Sequence, residues 1–462
     1  CLKVSGTAMF EAGYQQAFRR TDGNSAYRST GNLTLDARTN TEYGLVRAVV
    51  NPGISYRTGS NNLESGSARR LGLATVGQNG ATGVIGAANG IVANNQIDLK
   101  AFVQMGGLTA GRTDSMYAFT DGYYGYAGIE GRDASFQTNT ISYTLALGNG
   151  FSATLAVEDP ETRREGLTAV VQPGANGTTN TVGGWSAATL GSAATTGPTT
   201  GVGSIASGLA AANAYTGVNY AASRMPEFVA NLRLDQSWGK IQLSGAVHEI
   251  RSSWAAVDNE LGYAAQLATK INLPMLANGS SLTLTGGYSK GATAYTMANV
   301  ASNNQGAFAT NGANPFAAGT VSNYGGGTYG WGHAQAAFSD GAVDASGKLF
   351  LASVWSFGAT LDHYFTPTVH GWLTGSYSSL SYPAGAQTDI SQVAAAGDFG
   401  GNFANIDNSK LFRIAAGSEW TPVKGLALGA EVMYSQIDLK HGAYSSYTPT
   451  GANGNGAASV SY

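Results

Sequence analysis

Cysteine is almost absent: one residue, Cys1, in a chain of 462. That excludes a disulfide framework and a cysteine-ligated metal site. Cys1 reads as a structural residue heading a strand, the alternative being an acylated N-terminus. Charge is scarce as well. Charged residues are 11% of the chain, less than half the share of about 25% in soluble domains. The formal net charge of −3 argues against a nucleic-acid partner. No run approaches the roughly 18 consecutive apolar residues of a transmembrane helix. The five histidines form no H-E-x-x-H pair, and Gly325-Gly326-Gly327 lacks the lysine of a phosphate loop. Gly287-Tyr288-Ser289-Lys290-Gly291 matches G-x-S-x-G, but a nucleophile elbow needs a helix where this chain has a loop. His363 and His370 flank a turn and read as girdle or lumen packing. No catalytic residue, metal or cofactor is expected.

What remains is alternation. In the stretch 29–52, Leu33, Leu35 and Ala37 alternate with Thr34, Asp36 and Arg38, and Val46, Ala48 and Val50 alternate with Arg47. The pattern recurs along the chain. It runs through Leu2 to Tyr14, Ile97 to Val103, Leu108 to Tyr117, Ile141 to Leu147, Phe151 to Val157 and Phe228 to Leu234. Ile241 to Val247, Tyr263 to Ile271, Leu282 to Tyr288, Leu349 to Phe365, Val369 to Tyr377, Phe412 to Trp420 and Leu426 to Tyr434 follow it too. With the 29–52 pair this makes about fifteen strands of membrane-crossing length. Apart from a short break at Trp254 to Glu260, brief turns alternate with long loops, among them Val50 to Asn95, Asp159 to Met225 and Gly291 to Gly347.

That asymmetry is the mark of an outer-membrane barrel with short periplasmic turns and long external loops. The fold class read from it is all-β, a transmembrane antiparallel β-barrel forming one domain over residues 1–462. Tyr43, Phe151, Trp238, Phe365 and Trp420 sit beside the short turns, where a periplasmic aromatic girdle belongs. A soluble solenoid or adhesin would show repeats of fixed period, and none occurs.

The segments CLKVSG, LDARTNTEYGLVRAVV, AFVQMGGLTAGRTDSMYAF and ISYTLALGNGFSATLAVED resemble the outer-membrane porins of alphaproteobacteria, the Brucella and rhizobial type. The resemblance is close over the first third and looser after Pro226. It implies sixteen strands, a homotrimer in the outer membrane among lipid and lipopolysaccharide, and passive diffusion of small hydrophilic solutes and ions. In that family a further cysteine lies just before the motif matched by Cys1, which implies a disulfide partner for it. Members end on a strand closing in an aromatic residue. Ala457 to Tyr462 is too short to cross, so the closing strand is expected to be largely absent from the given chain, unless Tyr462 is the true end and one strand has been missed.

By connection order, 118–137 is the third long loop, the one that folds into the channel in the resembling porins. Its Asp121, Glu130 and Asp133 would then oppose Arg38, Arg47, Lys100 and Arg112, with Arg233, Lys270 and Arg413 further round. Such an arrangement sets a transverse field across the pore constriction. The alternative is that these bases pair with Asp36, Asp98, Asp114 and Asp235. The loops 159–225 and 291–347 are Gly/Ala/Thr-rich and are expected outside, packed on each other, on a neighbour or on another envelope protein. The function expected is a general diffusion porin, the alternatives being a substrate-selective channel or a non-transporting envelope anchor or adhesin.

Overall fold

Side chains that alternate apolar and polar suit a pleated strand whose two faces meet different media. The computed structural model turns that alternation into one long meander. It describes residues 1–14, 25–42, 44–60, 91–120, 137–160, 163–164, 167–169, 220–252, 255, 257–296, 339–343, 347–386, 408–439, 445–447 and 457–459. The first seven strands are β1 (Leu2–Tyr14), β2 (Ser25–Thr41), β3 (Gly44–Ser60), β4 (Ile91–Met105), β5 (Leu108–Asp114), β6 (Gln137–Gly148) and β7 (Phe151–Glu158). A three-residue strand, β8 (Leu167–Ala169), comes next. It is followed by β9 (Glu227–Gln236), β10 (Gly239–Ile250), β11 (Glu260–Asn272) and β12 (Ser281–Lys290). Two short strands, β13 (Gly341–Val343) and β14 (Leu349–Leu351), precede β15 (Ser353–Thr366), β16 (Val369–Ser381), β17 (Ser409–Val423) and β18 (Leu426–Leu439). The last are β19 (Ser445–Tyr447) and β20 (Ala457–Ser459).

Fifteen of these form a single sheet in which each strand pairs with its sequence neighbour, from β1 round to β18. This is the wall of an antiparallel β-barrel, with β1 and β18 as its edges among the described residues. β8, β13 and β14 form a separate small sheet, and β19 pairs with β20. The short segment at Ala457 thus meets Tyr447 and not the main sheet.

Connections at one end are brief, as at Gly106-Gly107, Asn149-Gly150 and Ser237-Trp238, and those at the other run long. The break after β10, residues 251–259, lies at the long-loop end, so the alternation holds there too. Tight turns make local demands. At the β6–β7 turn Gly148, Asn149 and Gly150 all have positive φ, a region that costs a β-carbon-bearing residue dearly unless it is Asn or Asp. A Cβ on Gly150 would also stand 2.0 Å from the Asp235 carbonyl oxygen of β9.

Register fixes which residues face out. On β9, Phe228 and Leu232 are exposed while Glu227 and Val229 are buried. On β11 the exposed set is Leu261, Tyr263 and Leu267, and the buried set Ala264, Gln266 and Ala268. An apolar outer face with polar side chains packed inside inverts a soluble protein, and lipid is the medium that accepts it.

Strand limits differ from the pattern in three places. β3 and β4 pair on through Gly59 and Val92, where periodicity has already failed, because a ladder beyond the bilayer needs backbone partners but no apolar row. β5 stops at Asp114 and not at Tyr117, because Ser115 turns toward Glu158. Leu349–Leu351 leaves the main sheet to pair with Gly341–Val343, and β15 begins after Ala352. Leu267 stands mid-strand and is 55% exposed. Leu267→Arg is expected to cost about 2–4 kcal/mol if that site faces the bilayer midplane, read as a lower denaturant midpoint for protein folded into lipid vesicles.

Candidate functional site

The inner face toward the short-turn end carries fixed charge. Arg38 and Arg47 are opposite each other in the β2–β3 register. Both grip Asp36, with Arg38 Nη2 2.7 Å and Arg47 Nη2 3.0 Å from Asp36 Oδ2. Arg47 also donates to Gln104 Oε1 at 3.0 Å, and its guanidinium lies 5.7 Å from the centre of the Phe102 ring. Lys100 Nζ is 2.7 Å from Asp114. Further round, Arg233 is 2.8 Å from Asp235, with Lys240 beside it at 3.6 Å and Lys270 opposite Lys240 in the register. Bases on the wall are therefore paired along the wall, yet Arg38 keeps half its side-chain surface open and Arg47 about a third.

Beyond this row the inner face is covered by chain that has turned inward. After β5, Ser115 Oγ and the Met116 amide donate to Glu158 of β7, at 2.8 and 2.7 Å. Asn231 of β9 donates to the Met116 carbonyl and Gln242 of β10 to that of Ala118. Arg233 approaches Phe119, 5.7 Å from the ring centre. The segment thus crosses from β7 to β10 over the inner face. Tyr117 packs there with the inward-facing Ala156, Val229, Ala246 and Ala264.

Two other connections join it. Tyr295, in a short 3-10 turn after β12, meets Tyr117 edge to face at 4.6 Å. Arg163, five residues past the end of β7, has its Nη1 2.7 Å from Glu158 Oε2, from Glu227 Oε2 and from Tyr295 Oη. His248 Nδ1 lies 2.5 Å from Glu227 Oε1, and Tyr220 Oη lies 2.9 Å from His248 Nε2. Tyr220 donates to Asp340, which in turn accepts the Thr293 amide and hydroxyl. Burial pushes the Tyr220 and Tyr295 phenols well above their usual range, with Asp340 and Glu227 respectively adding to it. Both remain neutral donors. Buried ion pairs of this kind add little net stability, but removing one partner strands a charge at a cost of about 3–5 kcal/mol. Their effect is to fix one arrangement.

Among the residues singled out by sequence, Arg38, Arg47 and Lys100 share the inner row. Arg112 does not. It stands opposite Ala101 and Asn139, on the row of the exposed Ile141, whereas Thr109 and Thr113 are the buried side of β5. Side-chain period 2 is the reason. Asp121, Glu130 and Asp133 lie outside the described residues, as does Tyr43. Phe151, Trp238, Phe365 and Trp420 are exposed beside short turns. Arg413 is buried on the inner row of β17.

The two histidines at the β15–β16 turn part company. His370 turns inward to Asp362 at 2.7 Å and stacks on Tyr364, while His363 packs edge-on against Phe365. Ser289 is buried in a strand paired on both sides, with no helix leaving it. Among the described residues no group of three His, Cys, Asp or Glu could hold a metal ion. Sequence reading passed over Arg163, Glu227 and Tyr295. Arg163-Arg164 is a pair of bases opening a Gly/Thr/Ala tract, and Glu227 shares the parity of Arg233, which was signal enough for these two. Tyr295 carried none, being one tyrosine among 23.

A lipid-facing meander whose inner side is charged and partly covered by inward-turned chain defines a β-barrel channel of the outer membrane. The family model of the porin subfamily matches residues 1–461, and the chain belongs to that family. It is accordingly a passive diffusion channel. No curated protein matches the sequence. Among solved structures, the outer membrane channel DcaP of Acinetobacter baumannii is similar at 13% identity and a TM-score of 0.49, over 95% of this chain and 92% of that one. The anion-selective porin from Comamonas acidovorans is 10% identical, with a TM-score of 0.37 over 94% of this chain and 90% of that one. The trimer form of OmpT from Vibrio cholerae is 7% identical, with a TM-score of 0.39 over 99% and 95%.

Asp36→Asn removes the acid between two arginines that stay partly open to the lumen. The expected outcome is a shift toward anions in the reversal potential across a salt gradient, with conductance retained.

Proposed function

We propose that the protein is a general diffusion porin, passing small hydrophilic solutes and ions without a fixed substrate, and that it works as a homotrimer of the alphaproteobacterial type. The observation that carries this reading is the inward course of Ser115–Phe119, bonded to β7, β9 and β10. It supports the third long connection, 118–137, as the constriction. On this reading Asp121, Glu130 and Asp133 face Arg38, Arg47 and Lys100 across the bore. Acid on one side and base on the other orient dipolar solutes and bias the choice of ion. Arg112 is left out of this set, since it stands opposite Ala101 and Asn139 in the register. The apolar outer face meets lipid and, over part of the circumference, a neighbouring protomer; the long connections meet lipopolysaccharide.

A second reading, a substrate-selective channel, is favoured by the inward positions of Arg163, Tyr220 and Tyr295. Chain that lines a bore gives more contacts to a solute than an open wall does. The two readings part in a planar bilayer. Diffusion gives ohmic current that grows with salt, whereas selectivity gives current that a preferred solute blocks. Neutralising Arg38, Arg47 and Lys100 together to Gln is expected to lower the anion-to-cation permeability ratio. An unchanged ratio removes them from the constriction.

A further inference from the structure

Arg163 belongs to none of the wall strands, yet it is wholly buried against them. It comes from the connection after β7. The two carboxylates it touches project from β7 and β9, and the phenol it touches comes from the connection after β12. Glu158 is shared: Oε2 meets Arg163 and Ser115 Oγ, and Oε1 accepts the Met116 amide at the root of the third connection. The Arg163 guanidinium also stacks 4.4 Å from the centre of the Tyr295 ring, and that ring meets Tyr117 edge to face. One cation thus lies where three inward segments meet, with acid on both flanking strands.

We propose that Arg163 is the positioning residue of the bore. It holds the root of the third connection and the Thr293–Tyr295 turn against the inner wall as one unit, so three connections, and not the third alone, set the free cross-section. The inference rests on the diffusion reading above. Electrostatics supply the hold. Buried from water, a guanidinium between two carboxylates cannot exchange its partners for solvent, so the segments stay down. Without it, Glu158 and Glu227 repel each other and draw in water, and Tyr295 loses the cation over its ring. The root then keeps its hydrogen bonds to Glu158, Asn231 and Gln242 but loses the cation that ties it to the Tyr295 turn.

The test compares wild type with Arg163→Met, with Arg163→Lys and with the charge-compensated triple variant Glu158→Gln/Arg163→Met/Glu227→Gln. The triple variant strands no buried acid, so it reports on the tie even where Arg163→Met alone fails to fold. Folding into vesicles is checked by circular dichroism and heat-modifiable mobility. Single-channel conductance and liposome swelling with sugars of graded size are then read on folded protein. The triple variant is expected to conduct more by about half, with larger sugars admitted and noisier open current, while Arg163→Lys recovers part of the wild-type cut-off. A purely structural role would lower stability but leave the sugar cut-off where it was. A conducting wild type with an unchanged conductance and cut-off in the triple variant overturns this proposal alone. A wild type that passes no current overturns the diffusion reading, and this one with it.

Discussion

Backbone hydrogen bonding in the absence of water is the constraint on which the rest of this structure depends. Inside a bilayer an unpaired N–H or C=O costs several kcal/mol, and only helices and closed barrels satisfy all of them. No run of the sequence is long and apolar enough for a transmembrane helix, so the ladders that cross the bilayer run strand to strand. The simple order of the sheet follows. Each of the fifteen wall strands bonds to the wall strand that follows it, β7 passing over the short β8 to β9 and β12 over β13 and β14 to β15. Loop length at the long-loop end is then free, because chain outside the bilayer finds water for its backbone groups.

Once the ladders are fixed, the period-2 direction of side chains divides the protein into two media. Leu232, Leu243 and Leu267 look outward from adjacent strands, and Asn231, Gln242 and Gln266 look inward from the neighbouring positions. Charges that cannot face lipid collect on the inner face, where they pair at close range, as Asp36 does with two arginines. Where inward chain shuts out water, the pairs become wholly buried, as around Arg163. The same groups would contribute little as surface pairs. Shielding by the inward segments is what makes them positional.

Much of the wall was legible in the sequence, because strand pattern and turn chemistry are local. Fifteen alternating segments, the Asn149-Gly150 turn and the outer aromatics could each be read within about ten residues. Pairing of the wall bases with Asp36, Asp114 and Asp235 was legible too, since neighbours in a meander are neighbours in sequence. Arg112 shares its parity with Asp114, which pairs with Lys100, and in the register it stands opposite Ala101 and Asn139.

The arrangement inside the lumen was not legible, and the reason is distance along the chain. Arg163 meets Tyr295 across 132 positions and Tyr220 meets Asp340 across 120, and no local pattern encodes such partners. The connections 159–225 and 291–347 therefore read as external, while Arg163, Tyr220, Tyr295 and Asp340 within them stand against the inner network. By itself the sequence determined a lipid-facing antiparallel wall with charge on its inner side, because alternation and turns act between residues a few positions apart. Only the tertiary structure decided which charges lie buried together and which segments turn onto the inner face, because both depend on how far-separated connections meet against the wall.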